Sequence, residues 1–319
     1  MHLSRRGVIA ASLAAAAVAP ARAQAPWPGD EPMRILLPAA QGSAADTAIR
    51  AMLPFLAAKL GGARITVDNQ QPNEDTYVLM AAAPADGRTL GLLISPQAQA
   101  LTIGRQARFG LRHFAWIGTI FEDPSGLFVA PSSPLRSIPD ILQAAREATD
   151  GLTAGTTGIG SDDHLMLVEF ERATGARLRH RPFAGRSVLT AALLAGDVQV
   201  AALPMAESLP ALKDGAIRAI ASSGPMRFAF TPDVPTFSEA GYPIDTRAVR
   251  SLVAPIGTPV PIVARLDAAL AETMRDPAWI AEAQARQIPL KYRPGEDTRQ
   301  IVLEEEAVLA ALWNTRPWR

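Results

Sequence analysis

After a proline-rich entry at Pro26, Pro28 and Pro32, short apolar runs alternate with segments of helical period almost to the end of the chain. Alternation of this kind leaves few folds open. Strands that are each followed by a helix bury both faces of a largely parallel sheet, which is an α/β architecture. Strands are expected at 34–37, 64–67, 90–94, 116–118, 127–130, 152–154, 178–181, 198–203, 217–221 and 251–255. In the first helix Ile49, Met52, Leu53, Leu56 and Leu60 share one face, and Gly61-Gly62 ends it. Pro54 lies inside that helix and is predicted to kink or shorten it. Ser137 with Asp140 caps a helix to about residue 148, Ser187 caps a short one ending at Gly196, and Thr258-Pro259 opens another. A last helix spans about 297–313.

Two strand–loop–helix junctions carry the functional reading. In one, the strand from Leu152 runs into Gly155-Thr156-Thr157-Gly158-Ile159-Gly160-Ser161, with a helix opening near Ser161 or Asp162. In the other, Arg34-Ile35-Leu36-Leu37 runs into Pro38-Ala39-Ala40-Gln41-Gly42-Ser43-Ala44-Ala45 before Asp46. Glycine lets backbone approach a ligand closely, and the first amides of a helix lack intrahelical partners. Such a turn is a neutral cradle for an anion, favoured further by the helix dipole. Two cradles suggest two lobes facing one small molecule. Asp162 and Asp163 are read as first-turn acids that favour the helix dipole, and Asp46 as a helix cap.

A chain of 319 residues suits two domains with real cores. Chain crossings near 128 and near 250 make a discontinuous first lobe, 30–127 with 251–319, and an inserted second lobe, 128–250. The formal charge is +0 with no Lys/Arg-rich run, which gives no footing for nucleic acid. There is no cysteine, so disulfides, zinc-thiolate sites and thiol nucleophiles are excluded. His113, His164 and His180 show no metal-ligand spacing, and neither a metal nor a cofactor is expected. The chain lacks a G-x-S-x-G elbow and a Walker loop, and Gly158-Ile159-Gly160-Ser161-Asp162-Asp163 misses the third glycine of a dinucleotide fingerprint. An enzyme is therefore not expected.

The N-terminus points to export. Arg5-Arg6 precede an apolar run from Val8 to Ala19, and Ala21-Arg22-Ala23 is an A-x-A cleavage pattern. Residues 1–23 read as a signal peptide cleaved before Gln24, by the Sec route or the twin-arginine route that Ser4-Arg5-Arg6 resembles. Its loss takes the net charge to −3, because the segment carries Arg5, Arg6 and Arg22 and no acid. The product is expected in the periplasm.

Longer phrases carry a resemblance. Pro-Asp-Val-Pro-Thr-Phe-Ser-Glu-Ala-Gly-Tyr-Pro at 232–243, Ala-Pro-Ile-Gly-Thr-Pro-Val-Pro-Ile-Val-Ala-Arg-Leu at 254–266 and Ala85-Asp86-Gly87-Arg88-Thr89-Leu90 look like segments of one family. So do Gly155–Leu165 and the Gly-Asp-Val…Leu-Pro…Lys-x-Gly frame from Leu193 to Gly215. With these, the chain resembles the periplasmic solute-binding proteins of tripartite tricarboxylate transporters, the Bug family. The resemblance implies a two-lobe, type II-like Venus-flytrap fold with two crossover strands at the hinge. It also implies capture of a small organic carboxylate and delivery, as a monomer, to membrane transporter subunits. Gly42 and Asp46 match the family's first loop and Thr157, Ser161 and His164 its second; with their neighbours on both turns and the basic groups nearby, the candidate ligand-facing set is Ala40, Gln41, Gly42, Ser43, Ala44, Asp46, Ser95, Thr156, Thr157, Gly158, Ile159, Gly160, Ser161, His164, Gly185, Arg186 and Arg250. Arg186, after the Gly185 turn, and Arg250, at the hinge, are the groups suited to meet a carboxylate bidentately. Departures from the family pattern gather in ligand-facing loops: Gly42-Ser43-Ala44 for a glycine triplet, Phe183-Ala184-Gly185 for Tyr-Lys-Gly, Leu203 for an aspartate, and Val249-Arg250-Ser251 for Trp-Tyr-Gly. The alternatives are a sensor that presents its closed form to a membrane signalling receptor, or a periplasmic α/β hydrolase.

Overall fold

The computed structural model describes residues 27–104 and 106–318; the expected signal peptide lies outside them. The strands are β1 (Met33–Leu37), β2 (Ile65–Asn69), β3 (Thr89–Ser95), β4 (Phe114–Val129), β5 (Leu152–Thr156), β6 (Leu178–Pro182), β7 (Val200–Pro204), β8 (Arg218–Ser222), β9 (Arg247–Pro255) and β10 (Leu290–Pro294). The helices are α1 (Ala44–Lys59), α2 (Glu74–Ala82), α3 (Gln97–Thr102), α4 (Ile138–Glu147), α5 (Asp162–Thr174), α6 (Arg186–Ala195), α7 (Met205–Lys213), α8 (Val260–Met274), α9 (Pro277–Ala285) and α10 (Gly295–Thr315).

Two lobes share one long strand. In the first lobe β2, β1 and β3 run parallel, and β9 joins β3 antiparallel. The first part of β4, from Phe114 to Pro124, pairs antiparallel with β9, and β10 also pairs with it. At Ser125 the same strand leaves β9 and pairs with β7 and β8 of the second lobe, where β6, β5 and β7 run parallel. The return passes through Thr246, whose carbonyl accepts the Ser125 amide, into Arg247 at the start of β9. β4 and β9 are thus the two crossover strands at the hinge.

Each sheet is covered on both faces, as parallel strands require. In the first lobe Ile35 and Leu92 pack with Ile49, Met52, Leu56, Leu270 and Trp279 on one side. Leu36 and Leu93 pack with Tyr77, Phe114 and Val302 on the other. In the second, Leu127 and Ala154 meet Ile141, Met166 and Phe170, while Phe128 and Leu203 meet Leu189 and Leu209. A further cluster lies between the lobes, where Ala100 of α3, Ile103 just after it and Leu309 and Leu312 of α10 meet Leu165 and Val168 of α5 and Trp318.

Local chemistry departs from the sequence reading in three places. α1 keeps its full length, Ala44–Lys59, through Pro54 and is not shortened by it. Its apolar face buries Ile49, Met52 and Leu56, each worth about 1.5–3 kcal/mol, which outweighs the ~3 kcal/mol cost of one interior proline. α6 is capped by Gly185, at φ +103°, with no side-chain cap bond, rather than by Ser187. The cap of α1 is Ser43, whose hydroxyl accepts the Asp46 amide; Asp46 is the first-turn acid and not the cap itself.

Candidate functional site

A cavity of about 260 Å³ opens between the lobes at the hinge. That lies just below the usual range of about 300–1,000 Å³ for small-molecule sites. Its walls are Gly42, Ala44, Thr47 and Ala48 of the β1–α1 junction, Phe121 and Asp123 of β4, and Arg250 of β9. Arg186, Ala206, Glu207, Leu209 and Pro210 come from the second lobe, and Arg286 to Pro289 close one side. Three helices, α1, α6 and α7, have first-turn residues in this wall, so their unpaired amides and positive dipole ends gather there.

The three helix ends differ in what they already hold. At α1, the Asp46 carboxylate accepts Gly42 N–H at 2.9 Å, Asn69 Nδ2 at 2.9 Å and Arg50 Nε at 2.8 Å. Burial opposes its charge, but the Gly42 amide, Asn69 and Arg50 together hold its carboxyl below the ordinary range. That clamp fixes the turn and leaves the amides of Ala44 and Ala45 without intrahelical acceptors. At α7, Ala206 N–H donates to Asp123 Oδ1 at 2.7 Å, so a carboxylate of the protein itself occupies that helix end. At α6, no side chain caps the first turn, and Arg186 donates to the Glu207 carbonyl.

Arg250 is the central cation. It is 5% exposed, its guanidinium stands 5.0 Å from the centroid of Phe121, and its Nη2 pairs with Glu207 Oε1 at 3.1 Å. Its Nε is enclosed, has no partner among the described residues and does not open onto the cavity. An arginine this far from water is costly unless its other donors are used. Facing it, Asp123 is pushed up to about 7, chiefly by burial and further by Glu207, with Arg250 pulling the other way. Asp162 is raised for the same reasons, while Ser125 Oγ donates to it at 3.1 Å. Asp162 therefore turns toward the hinge while standing, as expected, in the first turn of α5.

Of the residues singled out from sequence, Gly42, Ala44, Arg186 and Arg250 line this cavity, with Asp46 directly behind Gly42 and Gly185 directly before Arg186. Ala40, Gln41 and Ser43 sit on the same turn outside the wall. Ser95 is buried between Gln99, which donates to its hydroxyl at 2.7 Å, and Glu305 of α10. The 156–164 stretch is hydrogen-bonded mostly within its own lobe and packs at Gly160 against the other. Asp163 accepts Thr157 N–H at 2.7 Å and Thr157 Oγ1 at 2.9 Å, and Ser161 Oγ donates to the Gly158 carbonyl at 2.7 Å and accepts His164 N–H at 3.2 Å. Gly160 packs against Ala100 and Trp318, and Ile159 is exposed. Thr156 Oγ1 lies 2.6 Å from His180 Nε2, and the His180 ring stacks on His164 at 3.8 Å. Phe121, Asp123, Glu207 and Gln287 carry no sequence motif; the signal near Asp123 is an acidic pair, Glu122-Asp123, before Pro124 in a largely apolar stretch.

A larger groove, about 460 Å³, lies beside the hinge between 223–230 and the α9–β10 region. No first turn of a helix enters its wall, and of its charges Glu122, Asp245, Arg247 and Arg293 pair with one another while Arg227 pairs with Glu239. Among the described residues no three His, Asp or Glu side chains are placed to hold a metal ion, and no helix is long and apolar enough to cross a membrane.

The model of the tripartite tricarboxylate transporter family receptor matches residues 51–314. The chain belongs to that family. A Cupriavidus necator relative, described as the UPF0065 protein in the gbd 5′ region, is 29% identical over 87% of this chain and 86% of its own. The Rhodopseudomonas palustris protein Rpa4515, solved with adipate, superposes with a TM-score of 0.79 at 25% identity, covering 91% of this chain and 98% of that one. MatC from the same organism, solved with bound malate, gives 0.76 at 24% identity over 88% and 98%. Family and fold are those of periplasmic substrate-binding proteins that serve a tricarboxylate-type transporter, and not those of enzymes.

Proposed function

We propose that this receptor-family protein captures a small organic carboxylate in the cavity between its lobes and hands the closed form to membrane transporter subunits. The lobes would be 30–127 with 251–319 and 128–250, hinged where β4 changes sheets, and export would follow cleavage near Ala23–Gln24. The observation that carries this reading is Arg250, a buried guanidinium that lines the same cavity as the free amides of α1. A carboxylate there would meet a permanent cation and neutral donors at once, in a site largely cleared of water. Phe121, Leu209, Pro210 and Ile288 supply an apolar flank for a short carbon skeleton. The adipate of Rpa4515 and the malate of MatC are guests of comparable size in relatives of the same fold.

Calorimetry on the mature chain against mono-, di- and tricarboxylates tests this. Binding by one class is expected, and Arg250→Gln should weaken it by about 1.5–3 kcal/mol, the worth of a charge-assisted hydrogen bond. Unchanged affinity in that variant would remove the carboxylate from this cavity.

A further inference from the structure

The chain that follows α10 crosses from the first lobe to the second. α10 ends where the Arg316 amide donates to the Leu312 carbonyl at 2.7 Å, and Pro317 cannot continue the helix. The last turn is anchored in the first lobe: a Cβ on Gly104 would overlap the Trp313 indole, so that ring lies directly on the backbone there. Trp318 then meets Trp313 edge to face, with ring centroids 4.9 Å apart at 73°. Only 3% of Trp318 is exposed, and it shares one apolar cluster with Ala100 and Ile103 of the first lobe and with Leu165 and Val168 of α5. Gly160, on the turn before α5, lets the lobes come this close: a Cβ there would lie 3.1 Å from Ala100 and 3.8 Å from Trp318. Beside the ring, Arg316 Nη2 pairs at 2.7 Å with Glu171 Oε2 of α5, whose other oxygen accepts Leu178 N–H at 2.8 Å.

The opposite side of the cavity is joined more lightly, where Lys213 Nζ donates to Gln287 at 2.6 Å between exposed groups. Burying a large aromatic side chain stabilises a contact more than one exposed hydrogen bond does, so lobe-to-lobe attraction is concentrated at Trp318. The Trp318 indole N–H is enclosed with no acceptor among the described residues. An unmet buried donor is costly and is relieved when water reaches it, which makes the joint releasable rather than permanent. We propose that residues 316–318 are a clasp that holds the lobes together without a guest, and that undocking of Trp318 from α5 sets how often the hinge cavity opens. The clasp goes beyond carboxylate capture and rests only on the two-lobe hinge.

The chain has no cysteine, so Ala48→Cys places a single thiol in the cavity wall, at a position 4% exposed. Its rate of reaction with a thiol reagent reports the fraction of time the cavity is open. Without ligand, the mature protein should give small-angle scattering that matches the closed arrangement, and the thiol should react slowly. Trp318→Ala should raise the rate about tenfold or more, the scale of one large buried side chain. Arg316→Ala and Glu171→Gln, which leave the ring in place, should each raise it about two- to fivefold. Circular dichroism separates opening from unfolding; should Trp318→Ala prove unfolded, the two ion-pair variants decide alone. A ligand-free parent that scatters as an open form, or rates unchanged in every folded variant, would overturn the clasp. So would a larger rise from Lys213→Ala than from Trp318→Ala. No readout here uses a guest, so a failed clasp leaves carboxylate capture to its own titration.

Discussion

Ser161 does at the residue scale what its place before a helix dictates. Its hydroxyl accepts the His164 amide and donates to the Gly158 carbonyl, so both of its hydrogen-bonding roles are used inside the turn. Ser161→Ala should therefore lower unfolding free energy by about 0.5–2 kcal/mol, the worth of an N-cap, as read in urea denaturation. Carboxylate affinity in that variant should stay within about twofold of the parent, well under the worth of one hydrogen bond. A tenfold loss of affinity with unchanged stability would place Ser161 on the ligand instead. The glycine turn at 155–161 was legible as a cradle because glycines and a capping serine precede a helix. What fills it was not, since Asp163 folding back onto Thr157 is a local choice that spacing leaves open. Arg186 and Arg250 stood out as cations beside a turn and a hinge. Asp123 and Glu207 did not, because their meaning comes from a partner 43 residues or more away along the chain.

At the scale of elements, α5 carries a pH dependence through its first turn. Burial, then the neighbouring His180, pushes His164 down to about 3, and burial holds His180 below the ordinary range as well. In the unfolded chain both titrate near about 6.5. Below that pH the unfolded chain takes up protons that the folded one refuses, so this stabilisation is complete above about 6.5 and is lost as pH falls toward 3. Asp123 runs the opposite way: raised to about 7, it favours the folded state most below about 4 and loses that contribution as pH rises. Denaturation at pH 7, 5.5 and 4 should show the parent losing stability more steeply than His164→Asn; parallel slopes would mean the His164–His180 stack does not resist protonation. α10 is set just as locally. A Cβ on Gly295 would run into the Trp116 carbonyl of β4. Gly295→Ala should cost about 1–3 kcal/mol as overpacking, and an unchanged melting temperature would contradict that close approach. Strand–helix alternation predicted most elements, because burial on both faces imposes it on composition. The sequence predicts two short strands, 116–118 and 127–130, where β4 runs as one, because Asp123-Pro124-Ser125-Gly126 between them has the composition of a turn. Its continuity comes from β9 on one side of Pro124 and from β7 and β8 on the other, pairings made by distant sequence.

Across the whole molecule, the lobes meet on two sides of the hinge cavity. Trp318, Leu309 and Leu165 form an apolar contact on one side, joined by Arg316 to Glu171 at 2.7 Å. On the other, Lys213 Nζ of α7 donates to Gln287 at 2.6 Å, and Gln287 holds a left-handed backbone, φ +57°, in the cavity wall. Strain kept at such a place is consistent with a contact that makes and breaks as the lobes move. Two lobes on two crossover strands followed from the order of strands and helices, but which turns face each other depends on how the second lobe is rotated about the hinge. That rotation brings α6 and α7 to the cavity and seats the α5 turn against Ala100 and Trp318. The most direct test is a crystal structure of the mature protein with a bound carboxylate. The predicted result is a guest between the α1 turn and Arg250, in contact with Arg250 and the Ala44 amide. A guest seated on the Gly158–Gly160 turn, or in the groove beside Met226, with Arg250 still paired only to Glu207, would contradict it.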